Sequence, residues 1–345
     1  MPIEYRRLGS SGAIVTKLCL GTMTFGAESD EATSHALLGD YAGAGGNLID
    51  TADVYSNGAS ESIVGRWLKA HPTEAQQMMV ATKARFPMGP GPNDIGISRR
   101  HLALALDDSL RRLSLERIDL YQMHAWDALT PVDETLRFLD DAVRSGKIAY
   151  FGFSNFLGWH VTKAVECAKR LGFCAPITLQ AQYSLLVRGI EQEIVPACLD
   201  AGIGLLPWSP LGGGWLSGKY KRDQKPTGAT RLGENPNRGM ESYGPRNAVE
   251  RTWRVIGALE GIAKSRGVSM AQVGLAWVAA QPAVTSVILG VRSREQLADN
   301  LASAALALST EELDSLQVAS APEIEDYPYG KGGVGQRHRK MEGGR

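Results

Sequence analysis

Short apolar runs alternate with longer segments of helical periodicity over most of this chain. Because successive parallel strands need a crossover connection, this alternation predicts repeated β-α-β units of right-handed connection around a parallel sheet. The eight predicted strands are Leu18–Gly21, Asn47–Asp50, Met78–Lys83, Ile118–His124, Ile148–Phe153, Ile177–Gln180, Gly204–Trp208 and Ser286–Leu289. The predicted helices are Glu31–Ala44, Ser60–Ala70, Ser98–Leu113, Val132–Ser145, Leu157–Leu171, Glu191–Ala201, Arg246–Arg266, Ser269–Ala280 and Arg294–Leu301, with a further short helix capped by Ser309.

Eight such units in 345 residues favour a closed (β/α)8 TIM barrel over an open doubly wound sheet. An open sheet that binds a dinucleotide carries GxGxxG after its first strand. Here the first predicted strand leads into Gly21–Gly26 (GTMTFG), which does not match that pattern. We therefore predict an α/β fold with a single barrel domain over residues 1–328, followed by a flexible tail at residues 329–345.

The longest connection in the predicted barrel runs from Ser209 to Pro245, after the seventh strand, and is rich in glycine, proline, asparagine and charged residues. Connections of this length inside a compact domain are usually functional or disordered. A connection after a barrel strand leaves from the carboxyl-end face, where barrel enzymes place their active sites. We therefore expect this loop to act as a lid or clamp over a site.

Charge balance and apolar content limit the partners that we expect. Lysine plus arginine and aspartate plus glutamate both total 37, so the net charge favours neither nucleic acid nor an anionic membrane as a partner. No run approaches the roughly 18 apolar residues of a membrane span, and the N-terminal sequence lacks the apolar segment of a signal peptide. We expect a cytoplasmic protein that acts on a small molecule. The four cysteines have no metal-binding spacing, so no metal site is predicted.

Polar side chains end or follow three consecutive predicted strands. Asp50 ends the second strand and Tyr55 follows it after a turn, while Lys83 ends the third strand and His124 ends the fourth. Each has a structural explanation on its own, as a cap, a half-buried ring or a salt-bridge partner. Because these positions share one rim of a barrel, their recurrence favours a site. We refer to these four residues as the tetrad.

The tetrad suits the reduction of a carbonyl group. A carbonyl that accepts a hydride becomes an alkoxide, and a positioned general acid lowers the barrier by supplying a proton. Tyr55 is the candidate acid, and the ammonium of Lys83 would lower its pKa by stabilising the phenolate. Asp50 would pair with Lys83 and keep it in place, and His124 would donate a hydrogen bond to the substrate oxygen. The hydride itself needs a cofactor, since side chains do not carry one.

Several motifs occur together in the order found in one known family. Residues 18–26 (LCLGTMTFG), 50–55 (DTADVY) and 290–300 (GVRSREQLADN), with the lysine and histidine of the tetrad, resemble the aldo-keto reductases. The resemblance covers roughly residues 4–320 and implies that the tetrad is catalytic. It also implies that NADPH binds extended across the barrel mouth without a Rossmann fold, and that the substrate is an aldehyde or ketone.

The resemblance assigns cofactor contacts position by position. Taken singly, Ser154 with Asn155 could cap a helix, Trp208 could belong to the core, and Asp299 with Asn300 could be solvated helix surface. The assigned residues are Ser154, Asn155 and Gln180 at the nicotinamide carboxamide; Trp208 stacked on the ring; Ser209, Leu211, Gly213 and Lys219 at the pyrophosphate, with Arg231 as a clamp; Gly290, Arg292, Gln296, Asp299 and Asn300 around the adenosine and its 2′-phosphate; and Thr22, Met23, Asp50 and Pro210 as further contacts.

Aromatic residues at the mouth suggest the shape of the substrate pocket. Phe25, Phe86 and Trp126 lie in the segments that follow predicted strands. Such residues would form an apolar pocket wide enough for an aromatic or polycyclic carbonyl compound, although each could equally be packing.

Two departures from the family pattern affect cofactor choice and function. Many members have an arginine at the position of Gln296, where it grips the 2′-phosphate; here Arg292, Arg294 or Arg231 would take that role. NADPH is therefore the expected cofactor, with NADH as an alternative. The sequence also resembles the branch that includes potassium-channel β subunits, which gives one alternative function, a cofactor-binding partner protein with little turnover. Another alternative keeps the fold but changes the substrate, as a reductase of nucleotide-linked deoxysugars. His124 favours a working enzyme, because that position differs in the channel subunits.

Overall fold

Eight parallel strands form one sheet in the computed structural model, which describes residues 3–228, 230–237, 239, 241–324, 327–330 and 332–333. Two further strands pair as an N-terminal antiparallel hairpin. The hairpin consists of β1 (Tyr5–Arg7) and β2 (Ile14–Thr16), and the sheet consists of β3 (Leu18–Gly21), β4 (Leu48–Asp50), β5 (Met79–Ala84), β6 (Ile118–Met123), β7 (Ile148–Ser154), β8 (Thr178–Gln180), β9 (Gly204–Leu205) and β10 (Val287–Gly290). In the sheet, β10 precedes β3, and β3 to β9 follow in chain order.

The two ends of this sheet meet. Leu205 of β9 forms a parallel bridge with Val284, just before β10, and the Ile288 amide of β10 donates to the carbonyl of Pro207 at 3.0 Å. The sheet therefore curls until its first and last strands face each other, and the predicted (β/α)8 barrel is confirmed.

The helices surround the barrel, and several begin at an N-cap residue of the expected type. Asp30, Ser98, Ser269 and Ser293 each accept a bond from an amide of the first turn, and Ser309 forms the predicted capping box with Glu312. In the described part of the chain, no helix is long and apolar enough to cross a membrane. The helices are α1 (Glu31–Gly43), α2 (Ala59–Ala70), α3 (Pro72–Ala75), α4 (Arg99–Leu113), α5 (Val132–Arg144), α6 (Gly158–Leu171), α7 (Ile194–Ala201), α8 (Arg231–Glu234), α9 (Tyr243–Asn247), α10 (Glu250–Arg266), α11 (Met270–Ala279), α12 (Arg294–Ala302) and α13 (Thr310–Ala319).

The interior of the barrel has its own apolar cluster, separate from the larger core between the sheet and the helices. Cys19, Leu48 and Leu120 from the barrel strands are fully buried in it. Leu8 and Val15, from the N-terminal hairpin, belong to the same cluster and are also fully buried. The hairpin thus packs against the inside of the barrel, although its three-residue strands were not predicted from the sequence.

The predicted strand boundaries agree with the structure to within one residue, except for the seventh. That strand was predicted to reach Trp208 but ends at Leu205, because Pro207 has no amide to donate to the ladder. The predicted helix Arg246–Arg266 is also wrong in part, since α9 ends at Asn247 and α10 begins at Glu250. Most of the predicted flexible tail, residues 329–345, lies outside the described residues.

The long connection after β9 contains short helices of its own. A 3-10 helix covers Gly212–Ser217, and α8 and α9 follow it. The Trp215 ring is fully buried and stacks on Tyr243 at 5.4 Å between ring centroids, and its indole N–H donates to the Glu241 carbonyl. This packing holds Trp215 and Tyr243 of the connection together.

Candidate active site

The tetrad lies at the carboxyl ends of three neighbouring strands. Asp50 is the last residue of β4, Lys83 lies near the end of β5, and His124 directly follows β6. Tyr55 begins a 3-10 turn after β4. The carboxyl ends of parallel strands open on one face of a barrel, so the predicted residues meet at one rim.

The ammonium of Lys83 is at the centre of the tetrad. Its Nζ donates to Asp50 Oδ2 at 2.7 Å, to the Thr51 carbonyl at 2.7 Å and to the Tyr55 hydroxyl at 3.3 Å. The Lys83 side chain is fully buried and that of Asp50 is 4% exposed. The three acceptors use the three protons of the ammonium, which fixes its position against the phenol.

Two glutamines hold the other carboxylate oxygen of Asp50. Gln180 Nε2 donates to Asp50 Oδ1 at 2.8 Å, and Gln122 Nε2 lies 3.4 Å from the same oxygen. Gln180 was predicted as a cofactor contact, but its amide nitrogen donates to Asp50 of the tetrad. Gln122, which is fully buried, was missed; its only sequence signal is a single glutamine inside the apolar run of β6.

Burial and nearby charges shift the pKa values of Lys83 and Tyr55 in opposite directions. Burial would lower the pKa of Lys83, but the carboxylate of Asp50 and the phenol outweigh it and raise that pKa above its usual value. Burial raises the pKa of Tyr55, and the opposing effect of Lys83 is not large enough to reverse it. Lys83 therefore lowers the Tyr55 pKa as expected, but the net pKa lies above its ordinary value, because desolvation of the phenolate is the larger effect.

His124 completes the site as a neutral imidazole. Its ring is 8% exposed and meets the Tyr55 ring edge-on at 5.8 Å between centroids. Burial, then the charges of Lys83 and Arg85, lower the pKa of His124 to about 2. Within the described residues, its Nδ1 is buried with no hydrogen-bond partner. An uncharged ring of this kind can donate one hydrogen bond without competing for the proton on Tyr55.

The backbone next to Tyr55 adopts a rare conformation. Ser56 and Asn57 have φ values of 49° and 52°, in the left-handed region that costs L-residues free energy. The Ser56 hydroxyl donates to the Phe25 carbonyl at 2.8 Å and helps to hold this turn. The turn brings Tyr55 back over the end of β5 and its lysine.

A second group of buried charges lies behind the tetrad and was not predicted from the sequence. Glu61 is fully buried, and it accepts bonds from Thr82 Oγ1 at 2.5 Å and from Arg112 Nε at 2.7 Å. Asp53 is also fully buried and has no ion pair with any described residue. Burial, followed by the charge of Glu61, raises the pKa of Asp53 to about 7.

The nicotinamide side predicted by the resemblance is a connected set of side chains. Asn155, whose φ is 55°, donates from Nδ2 to the His124 carbonyl at 2.9 Å and to Ser154 Oγ at 3.1 Å. Its Oδ1 accepts from the half-buried Trp208 indole at 3.2 Å. The structure thus brings Ser154, Asn155 and Trp208 together beside the tetrad, as the resemblance implies.

A glycine turn and three cations form the predicted pyrophosphate side. Gly213 and Gly214 have φ values of 65° and 100°, and a Cβ added at Gly214 would lie 2.6 Å from Lys219 Cε. A Cβ at Gly213 would lie 4.0 Å from Arg231 Cδ. Partial burial, reinforced by the charge of Arg292, lowers the pKa of Lys219. Cations gathered against a side-chain-free backbone are suited to a phosphate group.

The candidate 2′-phosphate residues already have partners in the protein. Arg292 Nη1 donates to both carboxylate oxygens of Glu234 at 2.9 and 3.1 Å, and its Nη2 lies 3.4 Å from Glu28 Oε1. Its amide donates to Gln296 Oε1 at 2.9 Å. Arg294 instead makes a two-point ion pair with Asp40 of α1 at 2.6 and 2.7 Å, away from the glycine turn. Arg292 is therefore the better placed of these two arginines.

The other residues predicted to contact the cofactor differ in burial and in their bonds within the protein. Both carboxylate oxygens of Asp299 accept bonds at the start of α11, from Ser269 Oγ at 2.8 Å and Gln272 Nε2 at 2.6 Å. The Thr22 hydroxyl is fully buried and bonded to the Asp50 carbonyl, so it does not face the opening. Of the remaining predicted residues, Pro210 and Asn300 are buried, Ser209 and Leu211 are half-buried, and Met23, Gly290 and Gln296 are exposed.

The predicted pocket aromatics divide into two groups. Phe25 is fully buried in the main core, so its prediction as a pocket wall is wrong; the turn at residues 22–29 folds it inward. Phe86 meets the His124 ring at 4.7 Å and lies at the mouth. Trp126 is half-buried and stacks on His160 at 4.1 Å, beside the exposed ring of Trp159. Phe86, Trp126 and Trp159, which we call the aromatic wall, thus follow β5, β6 and β7, and Phe86 contacts the tetrad.

Comparison with known proteins agrees with this geometry. The sequence model of the aldo/keto reductase family matches residues 17–321, which is most of the chain. The matched segment includes the whole tetrad and all the residues assigned to the cofactor.

Individual relatives match over nearly their full lengths. The chain is 37% identical to the uncharacterized oxidoreductase YrpG of Bacillus subtilis, across 91% of this chain and 95% of YrpG. It is 37% identical to a protein of Oryza sativa named "Probable voltage-gated potassium channel subunit beta", across 87% and 90% of the two chains. It is 33% identical to versiconal hemiacetal acetate reductase of Aspergillus parasiticus, across 93% and 98%.

Proposed function

The chain belongs to the aldo/keto reductase family of oxidoreductases, and from this premise we propose that it reduces an aldehyde or ketone to an alcohol with NADPH, using Tyr55 as the proton donor. The observation that carries the proposal is the contact of the Tyr55 hydroxyl with Lys83 at 3.3 Å, at the rim where His124 also lies. A tyrosine in this position can protonate an oxygen on which negative charge develops.

Each member of the tetrad has a separate task in the proposed reaction. Tyr55 is protonated at physiological pH, because burial keeps its pKa above the ordinary value, and it gives its proton to the carbonyl oxygen. Lys83 stabilises the phenolate that remains, and Asp50 balances the charge of the lysine. His124 stays neutral and orients the same oxygen by a hydrogen bond. The proton on Tyr55 is replaced from solvent before the next turnover.

The residues on the opposite side of the mouth fit a nicotinamide dinucleotide. When bound, that cofactor supplies the hydride that forms the new C–H bond of the alcohol. Trp208 would lie against its ring, held by the bond from its indole to Asn155, and Lys219 with Arg231 would hold the pyrophosphate at the glycine turn. Cations at this turn and an aromatic ring beside the tetrad are the chemistry that such a cofactor needs.

Arg292 supports NADPH over NADH. Its side chain is 22% exposed and its guanidinium already binds two carboxylates; a phosphate can likewise accept two hydrogen bonds from one guanidinium and carries more charge. A 2′-phosphate would therefore replace one or both carboxylates. NADH lacks this group and would leave the existing ion pairs in place.

The aromatic wall supports an apolar carbonyl substrate. Phe86 contacts His124 of the tetrad, and Trp126 lies two residues after His124 and packs on Phe156. Relatives at 32–33% identity carry the names versiconal hemiacetal acetate reductase and norsolorinic acid reductase. We propose an aldehyde or ketone with an aromatic or extended apolar portion.

NADPH oxidation followed by its absorbance, with a panel of aldehydes and ketones of increasing size, tests this function. We expect turnover that requires both NADPH and a carbonyl compound, and lower KM for aromatic than for short aliphatic carbonyls. Tight NADPH binding without turnover on every member of the panel would contradict the proposal. That outcome would favour a cofactor-binding partner protein, a role consistent with the similarity to a protein named as a potassium-channel subunit.

A further inference from the structure

Arg85 is a cation at the barrel mouth that the proposed reaction does not use. It is the first residue after β5, two positions beyond Lys83. Its guanidinium lies over the Phe86 ring, with Cζ 5.1 Å from the ring centroid. The same ring meets the His124 imidazole at 4.7 Å between centroids, so Phe86 contacts both Arg85 and the tetrad. The charge of Arg85 contributes, after burial and Lys83, to the low pKa of His124.

This guanidinium lacks a polar partner among the described residues. The Arg85 side chain makes no hydrogen bond or ion pair with them, and its Nε is buried. The nearby carboxylate of Asp127 is bonded elsewhere, to Thr130 Oγ1 at 2.6 Å and to the amides of Ile97 and Leu129 at 3.2 and 3.0 Å. A guanidinium has five N–H donors and stays charged in proteins. With none of its donors bonded to a described residue, the guanidinium of Arg85 can bind an anionic ligand group.

Two other cations of the mouth, Lys83 and Arg292, differ from Arg85 because each has a carboxylate partner. Lys83 is paired with Asp50 at 2.7 Å and Arg292 with Glu234 at 2.9 Å. Arg85 also lies on the far side of the barrel from the glycine turn, because three strands separate β5 from β9 in the sheet order. A ligand group that reaches Arg85 therefore belongs to the substrate rather than to the phosphates of the cofactor.

We propose that Arg85 binds an anionic oxygen group of the substrate, so that the preferred carbonyl compound also carries a carboxylate or a phosphate. This inference rests on the proposed function and adds the substrate class. The planar guanidinium can bind two anionic oxygens at once, while Phe86 contacts the apolar portion that joins the anion to the carbonyl. The carbonyl is then held between two fixed points, the tetrad and Arg85.

Matched substrate pairs test this inference. The first pair is 4-formylbenzoate and its neutral methyl ester, and the second is glyceraldehyde 3-phosphate and glyceraldehyde. The measured quantity is the ratio of kcat/KM for the anionic member to kcat/KM for the neutral member. For the wild-type protein with NADPH, we expect this ratio to exceed one by about tenfold or more in at least one pair, and the preferred pair identifies the anion.

Variants at two arginines separate a direct role of Arg85 from a general charge effect. Arg85→Gln should lower the ratio by about tenfold or more, mainly through KM of the anionic member, and Arg85→Lys should restore part of it. The matched control is Arg137→Gln, because Arg137 also lies over a phenylalanine ring, at 5.3 Å from the centroid of Phe173, but is exposed on α5. The control should leave the ratio unchanged.

The possible failures are distinguishable. If the wild-type protein reduces the neutral compounds and shows no preference for either anion, or if Arg85→Gln and Arg85→Lys both keep the wild-type ratio, the inference about Arg85 is wrong and the reductase function stands. If neither member of either pair nor any other carbonyl is reduced, the proposed function fails and the inference fails with it.

Discussion

The two sides of the barrel mouth differ in how their ion pairs are held. We call the rim that carries the tetrad the tetrad side, and the region of the long connection after β9 and Arg292 the loop side. On the tetrad side, the Lys83 and Asp50 side chains are 0% and 4% exposed and lie 2.7 Å apart on adjacent strands. On the loop side, the Arg292 and Glu234 side chains are 22% and 45% exposed and come from segments far apart in the chain. The first pair is fixed by the sheet, whereas the second ties the long connection after β9 to the barrel.

This difference separates two requirements of the proposed reaction. The proton donor needs a fixed geometry before the substrate arrives, and buried hydrogen bonds from neighbouring strands provide it. The cofactor needs a site that can open, and half-exposed ion pairs can exchange a protein carboxylate for a phosphate at little cost. Disrupting the tetrad side should therefore have larger effects than disrupting the loop side.

Removing the buried cation should have the largest effect. Lys83→Met leaves Asp50 buried without its counter-charge, so we expect the free energy of unfolding to fall by about 3–5 kcal/mol. We also expect kcat to fall by roughly a hundredfold or more, since the phenolate loses its stabilising charge. Urea denaturation and NADPH oxidation measure the two effects.

Lys147→Met is the control for this substitution. Lys147 pairs with Asp107 at 2.6 Å, but both side chains are about half exposed, so we expect a change of under about 1 kcal/mol. Equal destabilisation by the two variants would show that the tetrad pair is no more tightly held than a surface pair.

The buried carboxyl behind the tetrad should make stability depend on pH. The pKa of Asp53 is about 7 in the folded protein, above its unfolded value near 3.9. The folded state therefore favours the protonated form, and the stabilisation is complete below about pH 4 and is lost as pH rises through 7. Asp53→Asn should be more stable than wild type by roughly 2–4 kcal/mol at pH 8, with the difference shrinking towards pH 4.

Thermal or urea unfolding across pH 4–8 checks this prediction. The exposed Asp108, paired with Arg111 on α4, supplies the control Asp108→Asn, which should show a small difference that changes little with pH. If the advantage of Asp53→Asn were the same at every pH, Asp53 would not titrate in this range.

On the loop side, Arg292→Gln should weaken NADPH binding without weakening NADH binding. The loss of charge-assisted bonds to the 2′-phosphate predicts an increase in the Kd for NADPH of about tenfold. Arg294→Gln is the control, since Arg294 is bonded to Asp40 of α1. Quenching of protein fluorescence by each cofactor gives the two Kd values. An equal loss of affinity for NADPH and NADH would mean that Arg292 does not bind the 2′-phosphate.

The smallest effect is expected at the carboxylate that competes for this arginine. Glu234→Gln removes a charge that a 2′-phosphate must displace, so NADPH should bind a few-fold more tightly, within the roughly 1 kcal/mol typical of exposed pairs. The same fluorescence titration measures it. Weaker NADPH binding by this variant would show that Glu234 supports the cofactor site rather than competing for it.

The same comparison explains how much could be predicted from the sequence. The barrel was predictable because its strands are short apolar runs, and the tetrad because some of these runs stop on a polar residue, as at Asp50 and Lys83. Strand ends on one face then follow from the parallel sheet. Gln122 was not predicted as a site residue, because a single polar residue inside an apolar run produces no periodic pattern.

The loop side was less predictable, for a physical reason. The partners of Arg292, which are Glu28 and Glu234, are separated from it by long stretches of chain, and no local pattern specifies such pairs. The net effect on Tyr55 was also misjudged, because the sequence shows a nearby lysine but not the burial that outweighs its charge. The inward turn of Phe25 depends on the packing of the whole loop.

The central claim is that Tyr55 supplies the proton from its place beside Lys83. Single-turnover oxidation of bound NADPH by a reducible aldehyde, in the wild-type protein and in Tyr55→Phe, measures it most directly. We expect Tyr55→Phe to bind NADPH with a Kd within about twofold of wild type, since the hydroxyl is the group removed, and to slow the chemical step by roughly a hundredfold or more. A Tyr55→Phe protein that oxidises bound NADPH at close to the wild-type rate would contradict the assignment of Tyr55 as the proton donor.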